Sequence, residues 1–387
     1  MKSTVLHVGS GVLEIPPQKG GAVEMIIYEI CSFLSKKKVQ SIILDNRNES
    51  FVRNGIRTMG VAVPRFPGLF LLRLTELLFG LSSARKIQKI SGKEKTIVHM
   101  HTVFTALPIV FLRNTLSKST KLVYTSHNPA WTEENIDFLN AFIREIEKFV
   151  VRKSDVVTVG TGAARAKIMK KAGLKEGNIR TVYNFVDTGK FRAKKYDWKK
   201  KNGVKGRMVL FVGKLIPNKG VEYLLRAAPA VVERFPDTHF VFAGPSSFES
   251  EKKNKWLELC KELGIEDSVT FTGSVSNQEL YEIYKAADVF CFPTMRETFG
   301  VVLAEAMAAG LPVISSDIPV VREVVGDAGI LVPRCDVKAI VEAIERVLSD
   351  RKLSGAMKKK SLKRKEMFEK NEVLQGYLDL YQEIENQ

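Results

Sequence analysis

Two patterns of hydrophobic residue alternate along the chain. Short β-rich runs at Thr4–Val8, Ser41–Leu44, Thr96–Met100, Lys121–Thr125, Val156–Val159 and Ile179–Val182 read as strands. Between them, segments such as Ala22–Lys36, Thr132–Arg152 and Ala163–Ala172 carry apolar residues at helical spacing. Such alternation predicts a parallel sheet covered by helices on both faces. A second series follows: strands at Met208–Val212, His239–Ala243, Val269–Thr272, Val289–Phe292, Pro312–Ser315 and Gly329–Val332, with helices including Gly220–Phe235 and Val301–Ala309. The chain therefore reads as two doubly wound α/β domains in tandem, 1–186 and 187–369. A helix at about 370–387 is expected to return to the first domain. The Lys-rich, apolar-poor stretch Asp187–Gly206 is the expected linker, and the tail from Ser354 reads as helical and highly charged.

Composition adds limits. At 387 residues, 45% hydrophobic and 27% charged, the chain is globular and too long for one typical core. Cys31, Cys260, Cys291 and Cys335 lack pair spacing, and read as buried apolar residues in a reducing compartment, not a disulfide frame or zinc site. The start, MKSTVLHVGSG, enters a strand and a glycine turn without the apolar core of a signal peptide. No apolar run reaches the roughly 18 residues of a membrane span. The expectation is a soluble, cytoplasmic protein. Its net charge of +17 favours anionic partners such as nucleotides or phosphorylated lipids. The basic runs Arg192–Arg207 and Lys358–Lys365 read as solvated surface.

In open parallel sheets, ligands bind beyond the carboxyl ends of the strands. Three segments at such ends could hold phosphate. In Ile15–Met25, IPPQKGGAVEM, Gly20 and Gly21 open a helix, whose free N–H groups and positive dipole end suit an anion. In Phe211–Ala227, FVGKLIPNKGVEYLLRA, a strand ends at Gly213, and Lys214 and Lys219 can converge on one polyanion as point charges. In Arg296–Ser316, RETFGVVLAEAMAAGLPVISS, the N–H groups of Phe299, Gly300 and Val301 would face an anion. Glu305, inside that closely packed helix, suits a pair of ribose hydroxyls. Glu297, in the loop before it, suits the hydroxyls of a sugar.

Other motifs carry less. VGTGAARA at Val159–Ala166 approaches a dinucleotide fingerprint, yet Arg165 occupies its third glycine position. P-loop, HExxH and GxSxG sequences are absent. His99 and His101 point to one face of a strand, which would suit zinc, but no third ligand is identifiable. Structure or acceptor contact is the favoured role for them.

With these loops in view, the chain resembles the family 4 glycosyltransferases of the GT-B fold. The residues carrying the resemblance are PPQKGGAVE, HMHTVFTALP around His101, VYNFVDTGKF, VGKLIPNKG and FAGP, and the long segment from VTFTGSVSNQELYEIYKAADVFCFPTMRETFG to VVLAEAMAAGLPVIS. The resemblance implies two Rossmann-like domains facing across a cleft. It implies transfer of a hexosyl group from a nucleoside diphosphate sugar to a hydroxyl acceptor, with retained anomeric configuration. Gly21 and the Phe299–Val301 backbone would touch the diphosphate. Lys214 and Lys219 would neutralise it, Glu305 would bind the ribose and Glu297 the hexose. His127, in VYTSHNPAW, matches the family's first-domain histidine near the donor sugar. Lys214 stands where the family usually has arginine, which keeps the charge and loses the bidentate fork. Phe185 stands where glycine is common.

No D-x-D sequence is present, and no metal or cofactor is expected. The donor is expected to be a UDP-sugar, with GDP- or ADP-sugar as alternatives. The rival readings are a sugar-nucleotide epimerase of the same fold, a non-catalytic nucleotide-binding protein, and a nicotinamide oxidoreductase. Nucleic acid is not an expected partner. Arg65–Leu81, RFPGLFLLRLTELLFGL, reads either as a core helix or as a surface helix touching anionic membrane at the inner face.

Overall fold

The structure is a computed structural model. It describes residues 1–17, 21–66, 68–92, 94–127, 131, 138–192, 198–245 and 255–386. Strands are β1 (Thr4–Val8), β2 (Ser41–Asp45), β3 (Phe51–Arg53), β4 (Ile56–Gly60), β5 (Thr96–Met100), β6 (Thr120–Ser126), β7 (Val156–Val159), β8 (Ile179–Thr181), β9 (Arg207–Val212), β10 (Thr238–Ala243), β11 (Val269–Gly273), β12 (Val289–Phe292), β13 (Val313–Ser316) and β14 (Gly329–Val332). Helices are α1 (Ala22–Lys36), α2 (Leu69–Ser91), α3 (Val103–Phe111), α4 (Phe138–Lys153), α5 (Gly162–Ala172), α6 (Trp198–Lys201), α7 (Val221–Arg234), α8 (Lys255–Leu263), α9 (Asn277–Ala286), α10 (Val301–Ala308), α11 (Pro319–Val325), α12 (Val337–Ser349), α13 (Arg351–Arg364) and α14 (Lys370–Glu385). The chain packs as two units: Met1–Tyr183 with Asn371–Gln387, and Asn184–Lys370.

The first unit holds an eight-stranded sheet in the order β3-β4-β2-β1-β5-β6-β7-β8, parallel except for the β3/β4 edge pair. Every residue of β1, β2 and β5 is buried, as strands covered on both faces require. Strand order reverses between β1 and β5, so the loops after these strands flank the switch point where doubly wound sheets take ligands. The β3/β4 hairpin turns on Asn54 and Gly55, both at positive φ (52° and 75°). Helix α2 crosses α3 so closely that a Cβ at Gly80 would lie 2.3 Å from Thr105 O. Its Phe79 is fully buried, while Leu71 and Leu74 are exposed. Among the described residues no helix is long and apolar enough to cross a membrane.

The second unit holds a parallel six-stranded sheet, β11-β10-β9-β12-β13-β14, whose switch point falls between β9 and β12. Both candidate loops of this unit, after Val212 and after Phe292, leave the sheet there. The stretch expected to be a linker is instead part of the second unit. Phe191, Trp198 and Val204 are buried, Phe191 packs edge-on against Tyr281 at 4.9 Å, and Val186 N donates to Phe368 O at 2.8 Å. Its few apolar residues anchor it while its lysines stay at the surface, so a count of lysines misread it.

Candidate functional site

In the second unit, the chain leaves β9 through Gly213 (φ 148°), passes exposed Lys214, makes one 3₁₀ turn at Pro217–Lys219 and enters α7 from Gly220 (φ 79°). Gly220 is dictated by its surroundings, since a Cβ there would lie 1.9 Å from Pro293 O. The loop is pinned from below: Leu215 N donates to Pro245 O at 2.9 Å, and buried Trp256 donates its Nε1–H to Leu215 O at 3.0 Å. It is also stitched to the loop after β12. Met295 N donates to Asn218 O at 2.9 Å, and Thr294 Oγ1 donates to the same carbonyl at 3.3 Å.

This stitching brings together two charges 78 positions apart in sequence. Lys219 Nζ meets Glu297 Oε1 at 2.5 Å, and Glu297 Oε2 accepts from Thr298 N at 3.2 Å. The Glu297 side chain is 9% exposed and that of Lys219 23%, so the pair sits at the surface of a packed loop. The Lys219 ammonium also lies 5.8 Å from the Phe292 ring. Lys214 pairs with no carboxylate among the described residues.

Helix α10 begins at Gly300 (φ 85°) with no side-chain cap. Its first N–H groups are therefore available to a ligand. Phe299 is buried and packs edge-on against Phe368 at 5.4 Å, which fixes the entry to the helix, and Val301 is exposed beside it. One turn on, Glu305 Oε2 accepts from the hydroxyl of buried Tyr284 at 2.9 Å. Burial pushes the Glu305 carboxyl up to about 7, against the opposing pull of the Tyr284 hydrogen bond and the Lys190 ammonium. Lys190 itself stands 3.6 Å from Asp187 and 5.8 Å from the Tyr281 ring. Lys190 and Tyr284 were not singled out from sequence. The signal for Lys190 was present in VYNFVDTGKF, but nothing local ties that segment to a helix 115 positions away.

The remaining candidates lie in the first unit. Gly21 (φ 79°) caps α1 and has no side-chain substitute for the cap, while Gly20 lies outside the described residues. Glu24, in the first turn of α1, accepts from Ser10 Oγ at 2.6 Å. His127 stands just past β6, its ring stacked on that of His101 at 5.8 Å. Burial lowers its imidazole to about 4, and its Nε2 is buried with no hydrogen-bond partner among the described residues. His127 is therefore neutral near pH 7, with one ring nitrogen unpartnered among the described residues.

His99 and His101 do have a third companion, contrary to the sequence expectation. His7 pairs with His99 across β1/β5, and the three rings bring nitrogen atoms within 4.8 Å of one another. Yet His99 spends both nitrogens on hydrogen bonds, Nδ1 with Tyr381 Oη and Nε2 with Thr125 Oγ1, each at 2.6 Å. His7 Nδ1 and His101 Nε2 face each other at 3.4 Å, while His7 Nε2 and His101 Nδ1 are buried with no hydrogen-bond partner among the described residues, and burial holds all three rings well below the usual imidazole range.

The second unit thus collects Gly213, Lys214, Lys219, Glu297, Phe299, Gly300, Val301 and Glu305 at one switch point, with Lys190 added. Chemically, the arrangement combines ammonium groups and uncapped helix N–H groups, which suit an anion, with two carboxylates, which suit hydroxyls.

Comparison with known proteins gives the family and the fold. Residues 20–190 match the family described as Glycosyltransferase Family 4, and residues 193–364 match Glycosyl transferases group 1. A D-inositol 3-phosphate glycosyltransferase of Corynebacterium urealyticum is 30% identical over 315 residues, 77% of this chain and 74% of that protein. An uncharacterised glycosyltransferase of Methanocaldococcus jannaschii is 35% identical over 184 residues, 45% of this chain. The aligned part spans 46% of that second relative, about half its length. Among solved structures, sucrose-phosphate synthase from Thermosynechococcus elongatus superposes with TM-score 0.79 at 19% identity, covering 99% of each chain. Anabaena HepE in complex with UDP gives 0.77 at 17% identity, covering 98% of this chain and all of that one. At these identities the structural likeness establishes the fold.

Proposed function

The chain belongs to the family 4 glycosyltransferases, with the GT-B fold, and from that premise we propose that it is a retaining hexosyltransferase using a nucleoside diphosphate sugar. The observation that carries this reading is the Lys219–Glu297 pair, held at 2.5 Å beside the uncapped start of α10. Breaking the glycosidic C–O bond leaves negative charge on the departing diphosphate. Preorganised cations and N–H donors stabilise such charge without reorganising. Lys214, Lys219 and the first amides of α10 supply them, with Gly213 and Gly220 letting the backbone come close. Glu305 holds the ribose hydroxyls and Glu297 the hexose. In the first unit, His127 is assigned to a hydroxyl of the donor sugar, and the uncapped start of α1 at Gly21 is assigned to an anion; Gly20, assigned with it, lies outside the described residues.

Retention follows if the acceptor attacks from the face the leaving group departs. The leaving phosphate then takes the acceptor's proton, and a dedicated side-chain base is not required. The charge on the diphosphate is met by lysines and helix N–H groups, so turnover proceeds in excess chelator. UDP is the favoured nucleotide: the related HepE structures hold UDP and UDP-glucose. Named relatives act on acceptors as different as D-inositol 3-phosphate and phosphatidyl-myo-inositol, so the hydroxyl acceptor here is specified no further by kinship.

The test is donor binding and turnover by Lys219→Ala and Glu305→Ala, made separately. Loss of one charge-stabilising donor typically lowers the rate about 10²–10³-fold, and that is the expected effect of Lys219→Ala. Glu305→Ala is expected to weaken donor binding at least about tenfold, the worth of one good hydrogen bond to a charged group. If both variants bind sugar nucleotides as well as the parent, the site is elsewhere.

A further inference from the structure

The basic helix near the end of the second unit does more than meet solvent: it walls a cavity of about 240 Å³. Arg207 at the start of β9, Asp288 just before β12, and Arg351, Ser354, Gly355 and Lys358 of α13 line it, with apolar residues from the last turn of α12. These are the amino ends of the two strands whose carboxyl ends carry the donor loops. At about 3.3 Å per residue, β9 puts roughly 20 Å between Arg207 and Gly213, so one phosphate group does not reach both places.

The charge of the cavity is unbalanced. Asp288 is the one carboxylate among the described residues lining it, and it is already neutralised: its Oδ2 accepts from Lys199 Nζ at 2.7 Å and from Met208 N at 2.9 Å. Arg207 donates one N–H to Asp237, and a guanidinium has five. Asp350, at the head of α13, accepts from the amides of Lys352 and Leu353, each at 2.9 Å. Lys360 of the same helix pairs with Asp327 at 3.3 Å, but Arg351 and Lys358 pair with no carboxylate among the described residues. The segment Arg351–Lys365 contains no acidic residue that could serve them.

Two unpaired cations therefore line one cavity. They stand two turns apart on one face of α13, about 10 Å along its axis, within the joint reach of two long side chains. Ser354 places a hydroxyl between them. Gly355 is the telling neighbour. A glycine inside a helix costs stability relative to alanine, yet this one has no positive φ, and a Cβ there would meet nothing within 4 Å. Neither backbone nor packing requires it. What its missing side chain leaves is room in the cavity between Arg351 and Lys358.

We propose that this cavity binds a phosphomonoester group, at a site separate from the donor loops. Such a group carries close to two negative charges near pH 7, which matches the two unpaired cations, whereas a carboxylate would leave one unmatched. The remaining N–H groups of Arg207 and the Ser354 hydroxyl give its oxygens directional donors. The volume is below the roughly 300–1,000 Å³ of clefts for drug-sized ligands, so the cavity admits the phosphate end of a ligand. A soluble phosphate ester and the headgroup of phosphatidic acid both present that chemistry.

The test uses the full chain carrying Lys214→Ala and Lys219→Ala, which removes the donor-loop lysines as competitors for phosphate. Calorimetry at constant ionic strength titrates glycerol 3-phosphate, with acetate as the singly charged control. The ester is expected to bind at least about tenfold tighter than acetate, and Arg351→Gln with Lys358→Gln to weaken it at least about tenfold, the worth of one good hydrogen bond to a charged group. Both side chains are exposed, so the fold is expected to tolerate their loss. Gly355→Leu distinguishes a site from general attraction to a basic surface, because it keeps every charge and fills the cavity. It is expected to raise Tm, leucine being the better helix former, and to abolish binding. Unchanged binding in Gly355→Leu or in the glutamine pair overturns the proposal, as does a parent without preference for the ester. If Gly355→Leu does not fold, the glutamine pair decides. Sedimentation with phosphatidylcholine vesicles containing phosphatidic acid is the lipid arm. Capture by these vesicles without binding of the soluble ester, lost in the same variants, assigns the cavity to a lipid headgroup; binding of the soluble ester assigns it to a soluble ligand; failure of both refutes the site. The transferase reading stands or falls separately, on Lys219 and Glu305.

Discussion

Glu305 has a folded-state carboxyl near 7 against an ordinary value of 4.5, with burial as the main cause. Between those two values the unfolded chain has released the proton and the folded one has not. The contribution of this group to stability therefore falls as pH rises from about 4.5 to 7. Donor binding runs the opposite way, because only the carboxylate accepts hydrogen bonds from two ribose hydroxyls. With a midpoint near 7, the ionised fraction rises about tenfold between pH 6 and 8. Affinity for a sugar nucleotide, whose diester-like diphosphate does not titrate there, is expected to rise by about that factor. Calorimetry across this range should show the rise in the parent and a flat profile in Glu305→Gln; a flat parent profile would show that Glu305 is not a ribose ligand. At this scale the sequence was legible where chemistry and spacing coincide: Glu297, Phe299, Gly300 and Glu305 lie within one short segment, and Lys219 beside its own helix start. It was silent on Tyr284, Lys190 and His7, because a helix wall, a distant loop and the neighbouring strand bring these in through tertiary contact alone.

At the scale of elements, the donor loop depends on a backbone without side chains where β9, β10 and β12 end together. Gly220 combines a left-handed φ of 79° with a Cβ position 1.9 Å from Pro293 O. Gly203 offers a control, with φ 72° and open space around it. Alanine at Gly203 is expected to cost only the left-handed penalty, about 1–2 kcal/mol. At Gly220 the clash adds to that penalty and displaces the loop. A total above about 3 kcal/mol is expected, which for a unit of this size lowers Tm by about 6–12 °C. Equal melting temperatures for the two variants would mean that the Gly220–Pro293 contact is slack. Strand and helix alternation was legible because buried parallel strands are continuous apolar runs. The β3/β4 hairpin was not picked out, although Asn54-Gly55 is the strongest short turn signal, because its strands are short and lie at an edge. The mistaken linker has the same root: a segment rich in lysine can still be anchored by three buried apolar side chains.

The molecule as a whole is not laid out in the order of its sequence. After completing the second unit, the chain returns as α14 to cover the first sheet. Leu374, Tyr377, Leu378, Tyr381 and Ile384 are all 6% exposed or less. Tyr381 reaches His99 in the middle of the sheet, and Glu385 Oε1 accepts from the backbone N–H of Lys2 and Ser3, at 2.7 and 2.5 Å. At about 1.5–3 kcal/mol per buried large apolar side chain, those five residues contribute about 7–15 kcal/mol. That matches the entire stability of a typical domain, about 5–15 kcal/mol. A chain ending at Glu369 is therefore expected to lose the first unit and keep the second. Hydrogen exchange would show β1 and β5 amides unprotected while β9 and β12 remain slow. The same chain should retain affinity for nucleoside diphosphate at Lys214, Lys219 and Glu305. Full protection of β1 and β5 in the shortened chain would mean that α14 merely lies on a sheet already stable without it.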